Sequence, residues 1–186
     1  MTEPVRERLL AAADELFYAH GMRAVSADKI IDRVGTTKVT FYRHFRTKDD
    51  LVVAYLERRA AAERAGVEAV IAAAGGDAAE VVRLMSAGLG EMACLPGFRG
   101  CPFINAAAEY PDADSAVRRL VDSHRDWWKK MFQDLVAPLG LPAHTGDDLM
   151  VLRDGAMVAG YLSEADAAAG AFLRAGLALI GDPRDG

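Results

Sequence analysis

The chain has 186 residues, 52% of them hydrophobic and 26% charged, with a formal net charge of −5. That length and apolar share suit one large or two small globular domains with a sizeable core. No apolar run reaches the ~20 residues of a membrane span, and the polar, charged N-terminus does not read as a signal peptide, so no membrane partner is expected and the expected location is the cytoplasm. Two cysteines, Cys94 and Cys101, form neither a disulfide framework nor a metal-type spacing.

Residues 3–20 are expected to form the first helix. Val5, Leu9, Ala12, Ala13, Leu16 and Phe17 recur at the spacing of one buried stripe. Pro4 suits a first turn, where its missing N–H is not needed. Gly21, after His20, marks the stop.

The next stretch, SADKIIDRVGTTKVTFYRHFRTK over residues 26–48, organises the chain. Ser26 is an N-cap type, able to accept an orphan N–H of the first turn. Ile30, Ile31 and Val34 then follow at helical spacing, and Gly35 permits the left-handed backbone that ends a helix abruptly. Thr36 or Thr37 can cap a second short helix. In it Phe41 and Phe45 lie four apart on one face, where both can bury. Val39, Thr40, Tyr42 and Arg43 fall largely on the other side. Short side chains near the helix start can approach the floor of a DNA major groove, Arg can bond both acceptors of guanine, and Thr or Val can touch a thymine methyl. Tyr42 and His44 can donate to phosphates, and Lys38 and Lys48 add positive charge.

The run VGTTKVTFYRHFRTKDDL resembles the helix-turn-helix signature of the TetR family of transcriptional repressors. Gly35, Thr37, Lys38, Thr40, Tyr42, His44, Phe45 and Lys48 occupy the family's places, over about the first quarter of the chain. The resemblance implies base-edge contacts from Thr37, Lys38, Val39, Thr40 and Arg43. It implies mainly phosphate contacts from Ser26, Thr36, Tyr42, His44 and Lys48. Asp28 departs from the pattern: an aspartate repels a phosphate there and is expected to stabilise the helix N-terminus instead. Charge supports the same division. Residues 1–48 carry nine Lys/Arg against six Asp/Glu, net +3, which leaves −8 for the rest. A basic head on an acidic body suits an operator-binding module joined to a regulatory domain.

From Lys48 to about Ala74 a long helix is expected, stopped by Gly75-Gly76 and joining the two domains without a flexible linker. Another is expected from Asp77 to about Leu95. LPGFRGCP, residues 95–102, breaks the helical pattern. A short helix over about 103–109 follows, then long helices over about 112–136, 145–161 and 164–180. GCPFINAAAEYPD resembles the loop and short helix of one group of TetR-type regulators. The last two helices are rich in Ala, Gly, Leu and Met, and the family resemblance implies that they pair with a second subunit as a four-helix bundle. The tail 182–186 is expected to fray.

The expected fold is therefore all-α, about nine helices: a three-helix, helix-turn-helix DNA-binding domain over 1–47 and a ligand-binding and dimerisation domain over 48–186. Met92, Phe98, Phe103, Asn105, Trp127, Met131, Met157 and Tyr161 are candidates for lining an effector pocket, since Met and aromatic groups make adaptable apolar walls. Ordinary core packing competes for each of them. Of the adjacent Trp127 and Trp128, only one can face inward. His124, with Glu109 or Asp122, is a weaker candidate for a metal, and neither metal nor cofactor is expected. No nucleophile elbow, phosphate loop, paired-His zinc motif or dinucleotide glycine pattern occurs, so no enzyme is expected. The expected function is a homodimeric repressor released from a palindromic double-stranded operator by a small apolar or aromatic effector. The alternatives are a redox-sensing regulator using Cys94 and Cys101, and a small all-α enzyme or carrier.

Overall fold

The computed structural model describes residues 3–162 and 165–181. Among these residues the chain forms nine α-helices and one 3-10 turn, with no strand. They are α1 (Val5–His20), α2 (Ala27–Val34), α3 (Lys38–His44), α4 (Lys48–Ala73), α5 (Ala78–Ala93), α6 (Pro102–Glu109), α7 (Ala116–Val136), the 3-10 turn Ala137–Leu139, α8 (Ala143–Leu162) and α9 (Ala165–Ile180). The all-α expectation holds. The expected start of the last helix at residue 164, and the tail 182–186, lie outside the described residues.

Local chemistry sets most boundaries. Ser26 Oγ accepts the Lys29 N–H at 3.2 Å and opens α2. Gly35 closes it with φ +67° and ψ +43°, the left-handed region. Its N–H and that of Thr36 return to the Asp32 and Ile31 carbonyls at 3.1 and 3.2 Å. Thr37, not Thr36, caps α3: its Oγ1 accepts from the Thr40 N–H at 3.2 Å. Asp77 does the same for α5 through the Glu80 N–H at 2.9 Å. The seventh helix starts four residues later than its apolar pattern suggests. Asp112 accepts from the Asp114 and Ser115 N–H groups and holds a turn there, and Ser115 Oγ then caps α7 by accepting the Arg118 N–H at 3.1 Å.

The chain divides into two compact units. The first comprises the residues up to Ala61 together with Pro102–Asp122, so it holds α1–α3, the first half of α4, α6 and the start of α7. The boundary expected at 47/48 falls inside this unit. Its core contains Leu9, Ala13, Phe17, Ile30, Phe41, Leu51, Val52, Tyr55 and Leu56, all buried. The rings of Phe17 and Tyr55 meet edge-on at 5.7 Å.

The second unit comprises Ala62–Cys101 and the residues from Ser123 onward. Within it α8 packs on α9 and α5 on α9. Small residues permit the close approach of α9 to α5 and of α8 to α7. A Cβ at Gly176 would lie 2.9 Å from Val82 Cγ1, and one at Gly146 would lie 2.6 Å from the Gln133 backbone N. Neither α8 nor α9 could keep its present seat with alanine there. No helix among the described residues is long and apolar enough to cross a membrane.

Candidate nucleic-acid interface

The face of α3 is decided by its two phenylalanines. Phe41 is fully buried and Phe45 nearly so, with ring centroids 6.1 Å apart. Phe45 lies just past the helix end, but its N–H still donates to the Phe41 carbonyl at 2.9 Å, which keeps its side chain one turn below Phe41. Arg6 lies over the Phe45 ring at 5.4 Å, and Arg8 donates to the Val34 carbonyl at the end of α2. Each phenylalanine buried in this way stabilises the helix by ~1.5–3 kcal/mol relative to exposure. The opposite side is left outward: Val39 is 79% exposed and Tyr42 50%, with Arg43 exposed beside them.

The other expected contact residues are distributed unevenly. Ser26, Thr37 and Lys38 are exposed, and Thr36, Thr40 and His44 are half-buried. The Thr37 hydroxyl reaches Thr40 Oγ1 at 3.0 Å, so these two side chains present a joined polar patch. Lys38 Nζ donates to Asp28 at 2.9 Å. Lys48 points elsewhere. Its ammonium donates to the carbonyls of Met22, Val25 and Arg23 at 3.0, 3.2 and 3.4 Å, which fills its three donor positions with backbone of the α1–α2 turn.

A second support for that turn has no local signal in the sequence. Glu109, at the end of α6, accepts the Met22 and Arg23 N–H groups at 3.1 and 2.6 Å. Arg23 answers by donating Nε to the Glu109 carbonyl at 2.6 Å and lying over the Tyr110 ring at 4.7 Å. Tyr110 in turn donates to Asp49 at 2.9 Å. Burial, then the hydrogen bond to the Asp49 carboxylate, pushes the Tyr110 phenol upward. Gly21 makes room for the contact: it has φ +91°, and a Cβ there would lie 3.1 Å from a Glu109 carboxylate oxygen. Lys48 on the carbonyls and Glu109 on the amides together fix the entry to α2.

The second unit contains a buried polar cluster. Arg153 on α8 is 6% exposed. Its guanidinium approaches Glu63 at 3.4 Å, Asp154 at 3.1 Å and Cys101 Sγ at 3.4 Å, and lies over the Trp128 ring at 4.6 Å. Glu63 also takes His124 Nε2 at 3.0 Å and Trp128 Nε1 at 3.2 Å. Burial alone would raise the Glu63 carboxyl, but the His124 hydrogen bond and the Arg153 charge outweigh it and hold it below its usual value. His124 thus pairs with Glu63, not with Glu109 or Asp122, and no group of potential metal ligands occurs among the described residues.

The effector-pocket candidates are distributed over both units. Phe103 and Asn105 belong to the first unit, the others to the second. Met131 and Met157 are buried and Phe98 is half-buried, whereas Met92 and Tyr161 are exposed. Trp127 is corrected by its neighbour: Trp128 faces inward, and Trp127 is half-buried with Arg64 over its ring at 5.4 Å.

Residues 9–55 match the family described as bacterial regulatory proteins, tetR family. SCO4454, a TetR-family transcriptional regulator from Streptomyces coelicolor, has a solved structure that is 38% identical in sequence and superposes with a TM-score of 0.90, over 96% of this chain and 95% of that one. The chain belongs to the TetR family of transcriptional regulators. A TetR-family protein from Streptomyces avermitilis, 24% identical, shares the fold with a TM-score of 0.82 over 96% of this chain and 97% of its own. The reading head has a further relative. Over 53 residues the chain is 43% identical to the HTH-type transcriptional activator FasR of Mycolicibacterium smegmatis. That match covers 28% of this chain and about a quarter (24%) of FasR. For this TetR-family chain the helix-turn-helix is therefore the DNA-binding element, and α3 is its second helix.

Proposed function

We propose that the chain is a homodimeric repressor that seats α3 of each subunit in successive major grooves of a twofold-symmetric operator. The observation that carries this is the orientation of α3: Phe41 and Phe45 inward, Val39, Tyr42 and Arg43 outward. Arg43, Val39, Thr37, Thr40 and Lys38 read base edges. Tyr42, His44, Ser26 and Thr36 take phosphates and set the register. Lys48 acts from behind by holding the α1–α2 turn, since its ammonium is already engaged. Repression follows from occupancy alone. FasR is named an activator, so a similar reading head also serves positive control, and the position of the operator decides the sign.

The dimer forms through α8 and α9. Val151, Val158 and Leu162 are exposed on α8, and Gly155 completes their stripe at spacings of four, three and four. Shallow, mainly apolar grooves run along them, one lined by Leu152, Ala175, Ala178 and Leu179 beside Val151 with Asp148 at its edge, the other by the stripe itself with Ala159 and Asp154. A stripe of this kind on a monomer exposes apolar surface that a twofold partner would cover. The effector binds within the second unit, where Met131 and Met157 follow Trp128 and Arg153 of the buried cluster by about one helical turn. It releases DNA by favouring a spacing of the two α3 helices that mismatches the operator. The chain carries no catalytic role in this scheme.

In vitro selection from a random duplex pool, followed by mass measurement of the complex, tests the proposal. A palindromic consensus bound by two chains supports it. Failure to enrich any sequence, or a single chain bound per site, rules it out. One observation favours a second trigger: Arg153 Nη1 lies 3.4 Å from Cys101 Sγ and sets a cation beside that sulfur. In that scheme the sulfur attacks hydrogen peroxide, an S–O bond forms as the O–O bond breaks, and a sulfenate and water result. Peroxide-driven release that survives replacement of both Cys94 and Cys101 by serine would eliminate it.

A further inference from the structure

Lys38 opens the reading helix, yet its ammonium is held by the protein itself. Nζ donates to Asp28 at 2.9 Å, linking the first turn of α3 to the first turn of α2. The two side chains are 66% and 58% exposed, so the pair lies on the surface of the helix-turn-helix and not in its core. The hydrogen bond and then the charge of Asp28 raise the Lys38 pKa, with Tyr42 and Asp32 adding in the same direction. The ammonium and the carboxylate, 2.9 Å apart, cancel one another's charge on the face that meets DNA.

An exposed pair is held weakly, and an acceptor on DNA in the right place can take the ammonium over. Which acceptor reaches it differs between the two modes of binding. Non-specific association rests almost wholly on cations meeting phosphates. Specific association adds base-edge contacts that lock the helix in one register. A cation paired with a neighbouring carboxylate adds no net charge to the first mode. In the second it is recovered once the locked register brings a base-edge acceptor to it.

We propose that Asp28 is a specificity-determining residue: by holding Lys38 it withholds one cation per subunit from duplex DNA of the wrong sequence. This rests on the DNA-binding reading above and deepens it. Asp28 does not read a base in this scheme. It lowers the background against which the other residues read.

The size of the effect follows from counterion release. One extra phosphate contact steepens the dependence of log K on log salt by ~0.9, which corresponds to about 8-fold in affinity near 0.1 M salt for each subunit engaged. Binding of the full chain is measured by fluorescence anisotropy over a salt series. Two probes are used: a mixed-sequence duplex, and the best duplex recovered by selection with the unaltered protein. The variants are Asp28→Asn, Lys38→Gln and the two combined.

Asp28→Asn should bind the mixed-sequence duplex about 8-fold more tightly per engaged subunit, with the slope steeper by ~0.9, and gain less on the selected duplex. In the Lys38→Gln background the same change should gain little. A gain of function cannot come from misfolding. If the unaltered chain binds and Asp28→Asn binds no more tightly, the proposal fails alone. It also fails if the gain persists in full without Lys38, because Asp28 would then be a simple repeller. If the unaltered chain binds no duplex at all, the DNA-binding reading fails and takes the proposal with it.

Discussion

Replacing Glu109 with alanine removes the acceptor of two backbone donors at once, the N–H groups of Met22 and Arg23. A hydrogen bond to a charged acceptor contributes ~1.5–3 kcal/mol. The Arg23 amide lies at the surface, where water replaces most of what is lost, whereas Met22 is buried and its donor is left without that relief. The bonds from Arg23 Nε to the Glu109 carbonyl and from Tyr110 to Asp49 do not use the lost side chain and should persist. The net loss is then ~2 kcal/mol, confined to the α1–α2 turn. At 1.4 kcal/mol per tenfold, opening of that turn becomes about 30-fold more frequent. Amide hydrogen exchange reads this directly: residues 21–25 should exchange about 30-fold faster, with α8 and α9 unchanged. Duplex affinity should fall too, because Val25 and the Ser26 cap follow immediately. Glu109→Gln, which keeps one acceptor, should lie between. Unchanged exchange at residues 21–25 would refute the role given to this carboxylate. Equal acceleration in α8 and α9 would refute its local character.

Other expectations concern each unit separately. Tyr42→Ala should abolish operator binding in a gel shift while sedimentation shows the dimer intact; an unchanged shift would remove this face from the interface. Arg153→Met takes one cation from Glu63 and Asp154, but Asp154 keeps Arg125 at 2.6 Å and Glu63 keeps His124 and Trp128, so the second unit should lose ~1.5–3 kcal/mol, the worth of a hydrogen bond to a charged group. Urea unfolding followed by tryptophan fluorescence measures it, and a loss of unfolding free energy under a quarter of that size would contradict the pairing. Glu63 has a folded pKa below its ordinary 4.5, so the stability it contributes is present above that value and lost as pH falls through the folded value. Unfolding free energy should therefore drop below about pH 4.5, and Glu63→Gln should flatten that part of the curve. Val151→Asp together with Leu162→Asp should yield monomers that keep the helical content; dimers of undiminished strength would move the subunit interface elsewhere.

The elements written into neighbouring residues were legible in the sequence. Ser26, Gly35 and Thr37 act within three or four residues of themselves, and Phe41 and Phe45 share a face by helical geometry alone. Long-range partners left no such trace. Lys48 carries the charge of a phosphate ligand, but carbonyls more than twenty residues away take it. Glu109 meets the α1–α2 turn across 86 and 87 positions, and the one hint was a short helix ending in Glu after small residues. Arg153 carries no local signal of its burial, because Glu63, its partner 90 residues earlier, cannot be chosen from several acids by spacing. The choice between Trp127 and Trp128 was likewise open, since adjacent helical positions differ by 100° and only the packed neighbours say which way is in.

The orientation of α3 is the claim on which regulation, specificity and dimer spacing all depend. Hydroxyl-radical labelling of side chains, with and without a selected duplex, tests it residue by residue. Phe41 and Phe45 should label weakly in both states, while Tyr42 labels strongly in the free protein and is protected by DNA. Strong labelling of either phenylalanine in the free protein, or a Tyr42 that stays reactive when the duplex is bound, would contradict it.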